Sequence, residues 1–165
     1  EKEAISSFQT AIEQNPDDYD AYMQLGLLYA QNNNKLAPQY LSSAIHVNDK
    51  KAEAWYARAM FYQENNLLEK AKADYQSILS FDSTYFDAWY NLGYLQYQNN
   101  NYDSAYYYFD KGLLSNYMQA KGYYMRGLCM EQKGEKDKAL ADYQSALKLD
   151  ETYALAEQGL ARIKK

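Results

Sequence analysis

Histidine and cysteine are the side chains that most often bind metals or attack substrates, and the sequence has one of each, His46 and Cys129. A tetrahedral zinc site takes four such ligands, so no zinc site of the ordinary type can form. His46 stands near the end of a predicted helix, where we expect it to face solvent. Cys129 takes a position that leucine or phenylalanine holds in three similar segments. We therefore expect a buried, unreactive thiol with no partner for an intramolecular disulfide.

Carboxylates are numerous, but none of them is paired in a way that is typical of general acid–base catalysis. Asp17 and Asp18 follow Pro16 and precede a predicted helix, where acidic side chains cap the helix and interact favourably with its dipole. Glycines never lie within three residues of one another, so a glycine-rich loop for phosphates is absent. The sequence therefore predicts no enzyme, no cofactor and no metal site.

Charge and composition exclude several classes of partner. The net charge of the 165 residues is −5, the isoelectric point is near 4.9, and lysine and arginine are scattered. Nucleic acids and anionic membrane surfaces attract proteins with a basic stripe, so we expect neither as a partner. No apolar run approaches the roughly 20 residues that cross a bilayer. With only 7 Gly and 2 Pro, helices joined by short turns are favoured over many strands.

Two residue series repeat along the chain with one period. The aromatic series is spaced by 33, 34 and 34 residues, and the alanine series by 33, 34, 34 and 34. The aromatic residues are Tyr22, Trp55, Trp89 and Tyr123. The alanines are Ala4, Ala37, Ala71, Ala105 and Ala139. Such a period is typical of helical repeat proteins.

The residues around these anchors predict pairs of antiparallel helices. A large apolar residue follows each alanine by four positions, and in most repeats a small residue comes three further on, which is the spacing of one helix face. A small residue, which allows a second helix to approach closely, follows each aromatic residue by four positions: Gly26, Ala59, Gly93 and Gly127. Asparagine or glycine stands between the two helices of each pair, where a helix ends in the left-handed conformation.

The run Trp89–Leu92–Gly93 with Tyr102 and Ala105 resembles the tetratricopeptide repeat. The resemblance implies an all-α fold, a right-handed superhelical solenoid of antiparallel helix pairs. It covers nearly the whole chain as a single array. We expect a half repeat at 1–18, full repeats at 19–51, 52–85, 86–119 and 120–153, and a capping helix at 154–165. The sequence opens in mid-helix, so we expect it to be a fragment of a longer protein.

Some residues depart from the family pattern. Pro16 alone occupies the proline site that closes a repeat, and Arg58 and Arg126 stand where leucine is usual. Gln96 and Met130 replace a tyrosine. These departures weaken individual matches without disturbing the period.

The resemblance also implies that the first helix of each repeat lines a concave groove. Positions two, five, nine and twelve of each first helix should face this groove, which would have a tyrosine- and methionine-rich floor. The second positions, Asp20, Glu53, Asp87 and Lys121, would give it a mostly acidic edge. Tyrosine offers a large contact area and a hydroxyl, which suits peptide recognition. The expected groove residues are Met23, Leu27, Tyr56, Met60, Tyr90, Tyr94, Tyr97, Tyr124 and Leu128.

The family resemblance therefore predicts a scaffold that binds a protein or peptide of unknown identity. Lys, Asn and Arg grip chaperone tails in some repeats, but the fifth and ninth positions here carry Met, Tyr and Leu, and Asn91 alone is found at the neighbouring sixth positions. The acidic edge argues against RNA.

Other interpretations stay open. Tyrosine is abundant throughout, so a compositional bias could also place it in the groove. A structural spacer, or self-association through the open N-terminal end, is the alternative function. The tyrosine- and asparagine-rich style is similar to that of tetratricopeptide proteins of Bacteroidetes-type bacteria, many of them exported, which leaves cytoplasm and periplasm both open.

Overall fold

A computed structural model describes residues 2–164, which form ten α-helices and no strand. This confirms the predicted all-α class. The helices are α1 (Lys2–Gln14), α2 (Tyr19–Gln31), α3 (Ala37–Val47), α4 (Ala52–Glu64), α5 (Leu68–Phe81), α6 (Phe86–Gln98), α7 (Tyr102–Ser115), α8 (Ala120–Gln132), α9 (Lys136–Leu149) and α10 (Ala154–Ile163). The last helix ends at Ile163, earlier than expected, and the predictions for residues 1 and 165 lie outside the described residues. No helix in the described range is long and apolar enough to cross a membrane.

The helices form two compact units, Glu1–Asp82 and Ser83–Lys165, called unit 1 and unit 2 here. In unit 1, α2 packs against α3 and α4 against α5. In unit 2, α6 packs against α7 and α8 against α9, and α10 covers α9 and α8. Each unit therefore contains two helix pairs, and unit 2 ends in a single helix.

The turns inside the helix pairs use the left-handed backbone conformation, as predicted. The φ angles are 49° at Asn33, 57° at Asn66, 59° at Asn100 and 78° at Gly134. Asparagine and glycine tolerate this region, which costs most other residues about 1 kcal/mol or more. The turn residues thus fix where each first helix ends and how its partner returns.

Small residues let the two helices of a pair approach each other, again as predicted. A Cβ atom placed on Gly93 would lie 2.8 Å from the Phe109 ring, and one on Gly127 would lie 2.9 Å from the Tyr143 ring. The aromatic rings of the second helices thus fill the space beside the glycines, and both rings are fully buried. This packing makes the core of unit 2.

Side chains also order the loops that connect successive helix pairs. Asp18 caps α2, because its Oδ1 accepts a hydrogen bond of 2.9 Å from the backbone N–H of Ala21, which confirms the predicted cap. At the start of these loops, a side-chain oxygen accepts a hydrogen bond from the N–H two residues on. This turn occurs at Asn15 (3.2 Å), Asn48 (3.1 Å), Asn116 (3.1 Å) and Asp150 (3.0 Å). Four loops therefore share one local turn.

Candidate partner-binding surface

The expected groove residues all lie on first helices, and all are half-buried. Unit 1 contributes Met23 and Leu27 from α2, and Tyr56 and Met60 from α4. Unit 2 contributes Tyr90, Tyr94 and Tyr97 from α6, and Tyr124 and Leu128 from α8. Half-burial suits a binding surface, because the buried part fixes the side chain while the rest stays accessible to a partner.

Unit 2 brings its expected residues together. Tyr90, Tyr94, Tyr97 and Tyr124 pack against one core cluster, and Tyr153 packs against the same cluster. The ring centroids of Tyr124 and Tyr153 are 5.6 Å apart, in an edge-to-face arrangement. These five tyrosines, called the tyrosine cluster below, form an aromatic surface on the first-helix side of unit 2.

Tyr153 was missed in the sequence because it precedes a helix instead of lying on one. It is the residue before α10, and Tyr85 holds the same position before α6. The recurrence of tyrosine at this loop position was the available signal. The contact of Tyr153 with Tyr124 depends on how the loop before α10 folds back onto α8, and the spacing of residues in the sequence does not predict that.

Rings beneath the cluster support Tyr90 and Tyr124. Tyr90 lies 5.6 Å from Phe109 and Tyr124 lies 5.8 Å from Tyr143, measured between ring centroids. Because Phe109 and Tyr143 are fully buried, the two upper rings rest on a rigid floor. The cluster is therefore preorganised for contact, which lowers the entropy cost of binding.

The charged residues at the edge of the cluster pair with each other. Asp87 is paired with Lys121 at 2.6 Å, and Lys121 Nζ also lies 4.7 Å from the centroid of the Tyr90 ring. Burial, with a smaller effect from the neighbouring phenols, raises the pKa of Tyr90 to about 12. This part of the surface is therefore aromatic and uncharged at neutral pH, with its acidic residue neutralised.

Glu131, at the twelfth position of α8, is bound within unit 2. Arg162 of α10 donates to it from Nε and Nη2, each at 3.0 Å, and the Tyr143 hydroxyl donates to the same carboxylate. The hydrogen bond from Arg162 holds the pKa of Glu131 below its ordinary value. This carboxylate therefore fastens α10 to α8.

In unit 1 the expected groove residues pack on a different set of buried side chains. The Tyr56 ring lies 6.0 Å from Tyr75, and the Tyr75 hydroxyl contacts the Met60 sulfur at 3.3 Å. Met23 packs against a small cluster that includes Ala44 and Ala54. The surface of unit 1 is thus less aromatic than that of unit 2, and methionine provides part of it.

Arg58 and Arg126, interpreted from sequence as departures from the pattern, form buried ion pairs. Arg58 donates to Asp74 from Nε (2.8 Å) and Nη2 (2.7 Å), and Arg126 donates to Asp142 from the same atoms (2.9 and 2.7 Å). Each arginine lies on a first helix and each aspartate on the second helix of the same pair. Bidentate geometry of this kind is the strongest form of ion pair.

The remaining guanidinium nitrogen of each arginine contacts the preceding second helix. Arg58 Nη1 donates to Ser42 at 2.7 Å, and Arg126 Nη1 donates to Asp110 at 2.6 Å. Burial alone would lower the pKa of Arg126, but the hydrogen bond and charge of Asp142 outweigh it and raise the pKa. Each arginine therefore joins three helices of its unit.

The side chains with the most familiar chemistry lie outside this surface or are inert. Cys129 is fully buried, and burial raises its pKa to about 12, so the reactive thiolate is scarce at neutral pH. His46 is exposed, as predicted. Among residues 2–164, no three His, Cys, Asp or Glu side chains are grouped to hold a metal ion.

Sequence models of the tetratricopeptide repeat match four parts of the chain. The matched residues are 2–33, 52–85, 82–120 and 120–153, each described as a tetratricopeptide or TPR repeat. Together these ranges cover most of the sequence. They include every residue of the tyrosine cluster.

Solved structures and a curated relative agree with these matches. The C-terminal part of a TPR repeat-containing protein from Cytophaga hutchinsonii superposes with a TM-score of 0.84 at 19% identity, over 98% of this chain and 64% of that chain. YrrB, described as a TPR protein with an unusual peptide-binding site, gives a TM-score of 0.76 at 22% identity, over 94% and 81%. Anaphase-promoting complex subunit 3 of Schizosaccharomyces pombe is 24% identical over 92% of this chain. The chain spans 23% of that subunit.

Proposed function

Because the chain belongs to the tetratricopeptide repeat family, we propose that it is a protein-interaction scaffold whose first-helix surface binds a peptide segment of another protein. The observation that carries this proposal is the tyrosine cluster of unit 2. Its rings are half-buried. Tyr90 and Tyr124 rest on the buried rings of Phe109 and Tyr143, and burial raises the pKa of Tyr90 to about 12. Four of the cluster's five tyrosines, Tyr90, Tyr94, Tyr97 and Tyr124, belong to the groove expected from the family.

The chemistry of the cluster favours a peptide with apolar side chains over a charged ligand. Each phenol presents a flat apolar ring and a hydroxyl that can donate to or accept from a peptide backbone. Lys121, which is paired with Asp87 and lies over Tyr90, adds little net charge. Affinity would therefore come from ring contacts and hydrogen bonds, with weak dependence on salt.

The similar proteins support an interaction role in general terms. YrrB is described by its peptide-binding site, and the Schizosaccharomyces pombe relative is named as a subunit of a complex. The identity of the segment bound by this chain stays open, because identities below 25% carry over the fold and no partner.

Removal of two central rings tests the proposal. We expect Tyr90→Ala/Tyr94→Ala to weaken binding of a partner captured from source lysate by at least about 2 kcal/mol, because central aromatic residues dominate interface energy. The measurement is quantitative capture by immobilised chain, followed by titration of the purified partner. Tyr107→Ala, which removes an exposed ring from α7, should leave binding unchanged. Equal binding by the double variant would place the interface elsewhere.

Self-association is a second candidate function, favoured by α1. This helix has an apolar face, yet none of its residues is fully buried, and Ile5 and Ile12 are half-exposed one above the other. We expect sedimentation experiments to show mass rising with protein concentration, and Ile5→Glu to abolish the rise, since a charge would have to be buried. A constant monomer mass for the parent chain would exclude this candidate.

A further inference from the structure

Unit 2 has a cleft on a different part of its surface from the tyrosine cluster. It has a volume of about 380 Å³ and lies between the α7–α8 loop and the end of α9. We call it the α9 cleft. It is lined by Tyr117, Met118, Tyr123, Ser145, Lys148 and Leu149. No residue of the tyrosine cluster lines it.

Unit 1 has a cleft at the equivalent place, called the α3 cleft. It has a volume of about 490 Å³ and is lined by Pro16, Asp17, Tyr22, Gln39, Ser42, Ser43, His46 and Val47. Both clefts have a tyrosine at the fourth position of a first helix, a serine on a second helix, and an aliphatic residue near the end of that helix. The cleft itself is thus a product of the repeat fold.

The loop residues distinguish the two clefts. Tyr117 and Met118 stand where the α3 cleft has Pro16 and Asp17, although both loops contain the same side-chain turn. The other connecting loops are polar at these two positions: Asp49 and Lys50, Ser83 and Thr84, Glu151 and Thr152. The turn therefore does not require apolar residues in the α7–α8 loop.

The apolar residues of this loop are exposed to water, which is unfavourable for large apolar side chains. Tyr117 is 68% exposed and Met118 is 62% exposed, and Leu114 at the end of α7 is 74% exposed. Three large apolar side chains within five residues are therefore exposed to water, and exposed apolar patches often mark an interaction site. None of the three packs against the core cluster that lies beneath the tyrosine cluster.

The charge in the α9 cleft identifies the kind of ligand. Lys148 is the one charged side chain among the described lining residues, and it forms no ion pair within residues 2–164. Asp150, two residues on, bonds to Thr152 instead. A free ammonium group beside apolar walls complements a carboxylate next to an apolar side chain.

We propose that the α9 cleft is a second docking site, which takes a partner segment with an aspartate or glutamate beside an aliphatic or aromatic residue. The apolar side chain lies against Tyr117, Met118 and Leu149, and the carboxylate pairs with Lys148. The α3 cleft, with Asp17 in the loop and His46 in place of the lysine, does not bind this segment.

The α3 cleft provides the variant that tests the site. Tyr117→Pro/Met118→Asp gives the α7–α8 loop the residues of the α1–α2 loop, and Asn116 can make the same turn there. A phage library of random dodecapeptides is selected on the full chain and counter-selected on this variant. We expect peptides that bind the parent at least about tenfold tighter than the variant, with Asp or Glu beside apolar residues. Selected peptides without an acidic residue, or no discriminating peptide, would overturn the proposal.

Methyl resonances of the methionines locate the bound peptide. Met118 is the exposed methionine of unit 2, whereas Met125 and Met130 are buried. We expect the selected peptide to shift the Met118 methyl resonance, and Lys148→Ser to weaken binding at least about tenfold. Tyr90→Ala/Tyr94→Ala should leave this affinity unchanged, which separates the cleft from the tyrosine cluster.

Two other occupants would overturn the proposal. The first is a second copy of the chain, shown by a Met118 shift that depends on protein concentration without peptide. The second is a lipid surface, shown by binding to phosphatidylserine vesicles that the loop exchange abolishes. Matching denaturation midpoints for parent and variant would establish that the loop exchange leaves the fold intact.

Discussion

Arg126→Leu should lower the free energy of unfolding by about 3–5 kcal/mol, because it leaves the Asp142 carboxylate buried without its partner. The side chain of Asp142 is 10% exposed, so water replaces the lost hydrogen bonds poorly. The measurement is urea denaturation followed by circular dichroism, with the midpoint and slope compared between variant and parent. A variant as stable as the parent would show that Asp142 is readily solvated.

A second substitution, taken from another helix pair of the same chain, should restore the stability of this variant. Where α8 and α9 carry Arg126 and Asp142, α6 and α7 carry Leu92 and Tyr108 at the same positions. We expect Arg126→Leu/Asp142→Tyr to recover most of the lost stability, since apolar residues can replace a buried ion pair with little cost. Failure of the second substitution to restore stability would mean that the arginine contributes mainly through Asp110.

An exposed ion pair serves as the control for Arg126. Lys138 pairs with Glu135 at the start of α9, and its side chain is largely solvated. Lys138→Ala should cost less than about 1 kcal/mol, as exposed pairs do. Comparing the stability losses of the two variants separates the effect of burying an ion pair from the effect of charge pairing alone.

Tyr143→Ala should cost about 3–5 kcal/mol of stability, because it leaves a cavity where three helices meet. The ring is fully buried and faces two glycines, one on each neighbouring helix. Cβ atoms there would lie 2.9 Å from it at Gly127 of α8 and 2.6 Å at Gly159 of α10. Thermal unfolding and hydrogen exchange of the α10 amides measure the loss.

Tyr143→Phe separates the ring from its hydroxyl. Phenylalanine already holds the equivalent position in α7, as Phe109. We expect a cost of only about 1–2 kcal/mol, for the hydrogen bond to Glu131. If Tyr143→Phe destabilised the chain as much as Tyr143→Ala, the hydroxyl and not the packing would hold α10 in place.

Most of the fold could be predicted from the repeat period of the sequence. The four aromatic residues that set the period each lie at the fourth position of a first helix: Tyr22, Trp55, Trp89 and Tyr123. Local chemistry was equally readable: Asp18 caps α2, and Asn33 takes the left-handed conformation. Features that repeat, or that depend on neighbours in sequence, are therefore visible without coordinates.

The ion pairs could not be read in the same way. Arg58 and Arg126 break the leucine pattern, and each pairs with an aspartate 16 residues away on another helix. An arginine at a leucine position can be recognised as half of an ion pair only when the structure places the aspartate beside it. The signal was the matched appearance of Asp74 and Asp142 at one position of the second helix, where Tyr40 and Tyr108 stand elsewhere.

The binding surface was predictable in outline and incomplete in detail. Helix position placed Tyr90 and Tyr124 on the surface expected from the family, and both are half-buried on one core cluster. Tyr153 joins them from a loop, and Lys121 neutralises Asp87. Both details depend on contacts between helices, and peptide binding at this surface stays a prediction.

The ion pair between α8 and α9 also limits the errors that folding can make. Second helices of a repeat protein have nearly the same shape, so a first helix can meet the wrong one while the chain is still collapsing. If α8 docked on the face of α7 that belongs to α6, Arg126 would meet Tyr108 in place of Asp142 and would lose its bidentate ion pair. We expect this misdocked state to be less stable than the correct helix pairing by several kcal/mol. We therefore expect Arg126 to favour the correct neighbouring helix during folding, where helix shape alone would not distinguish the two.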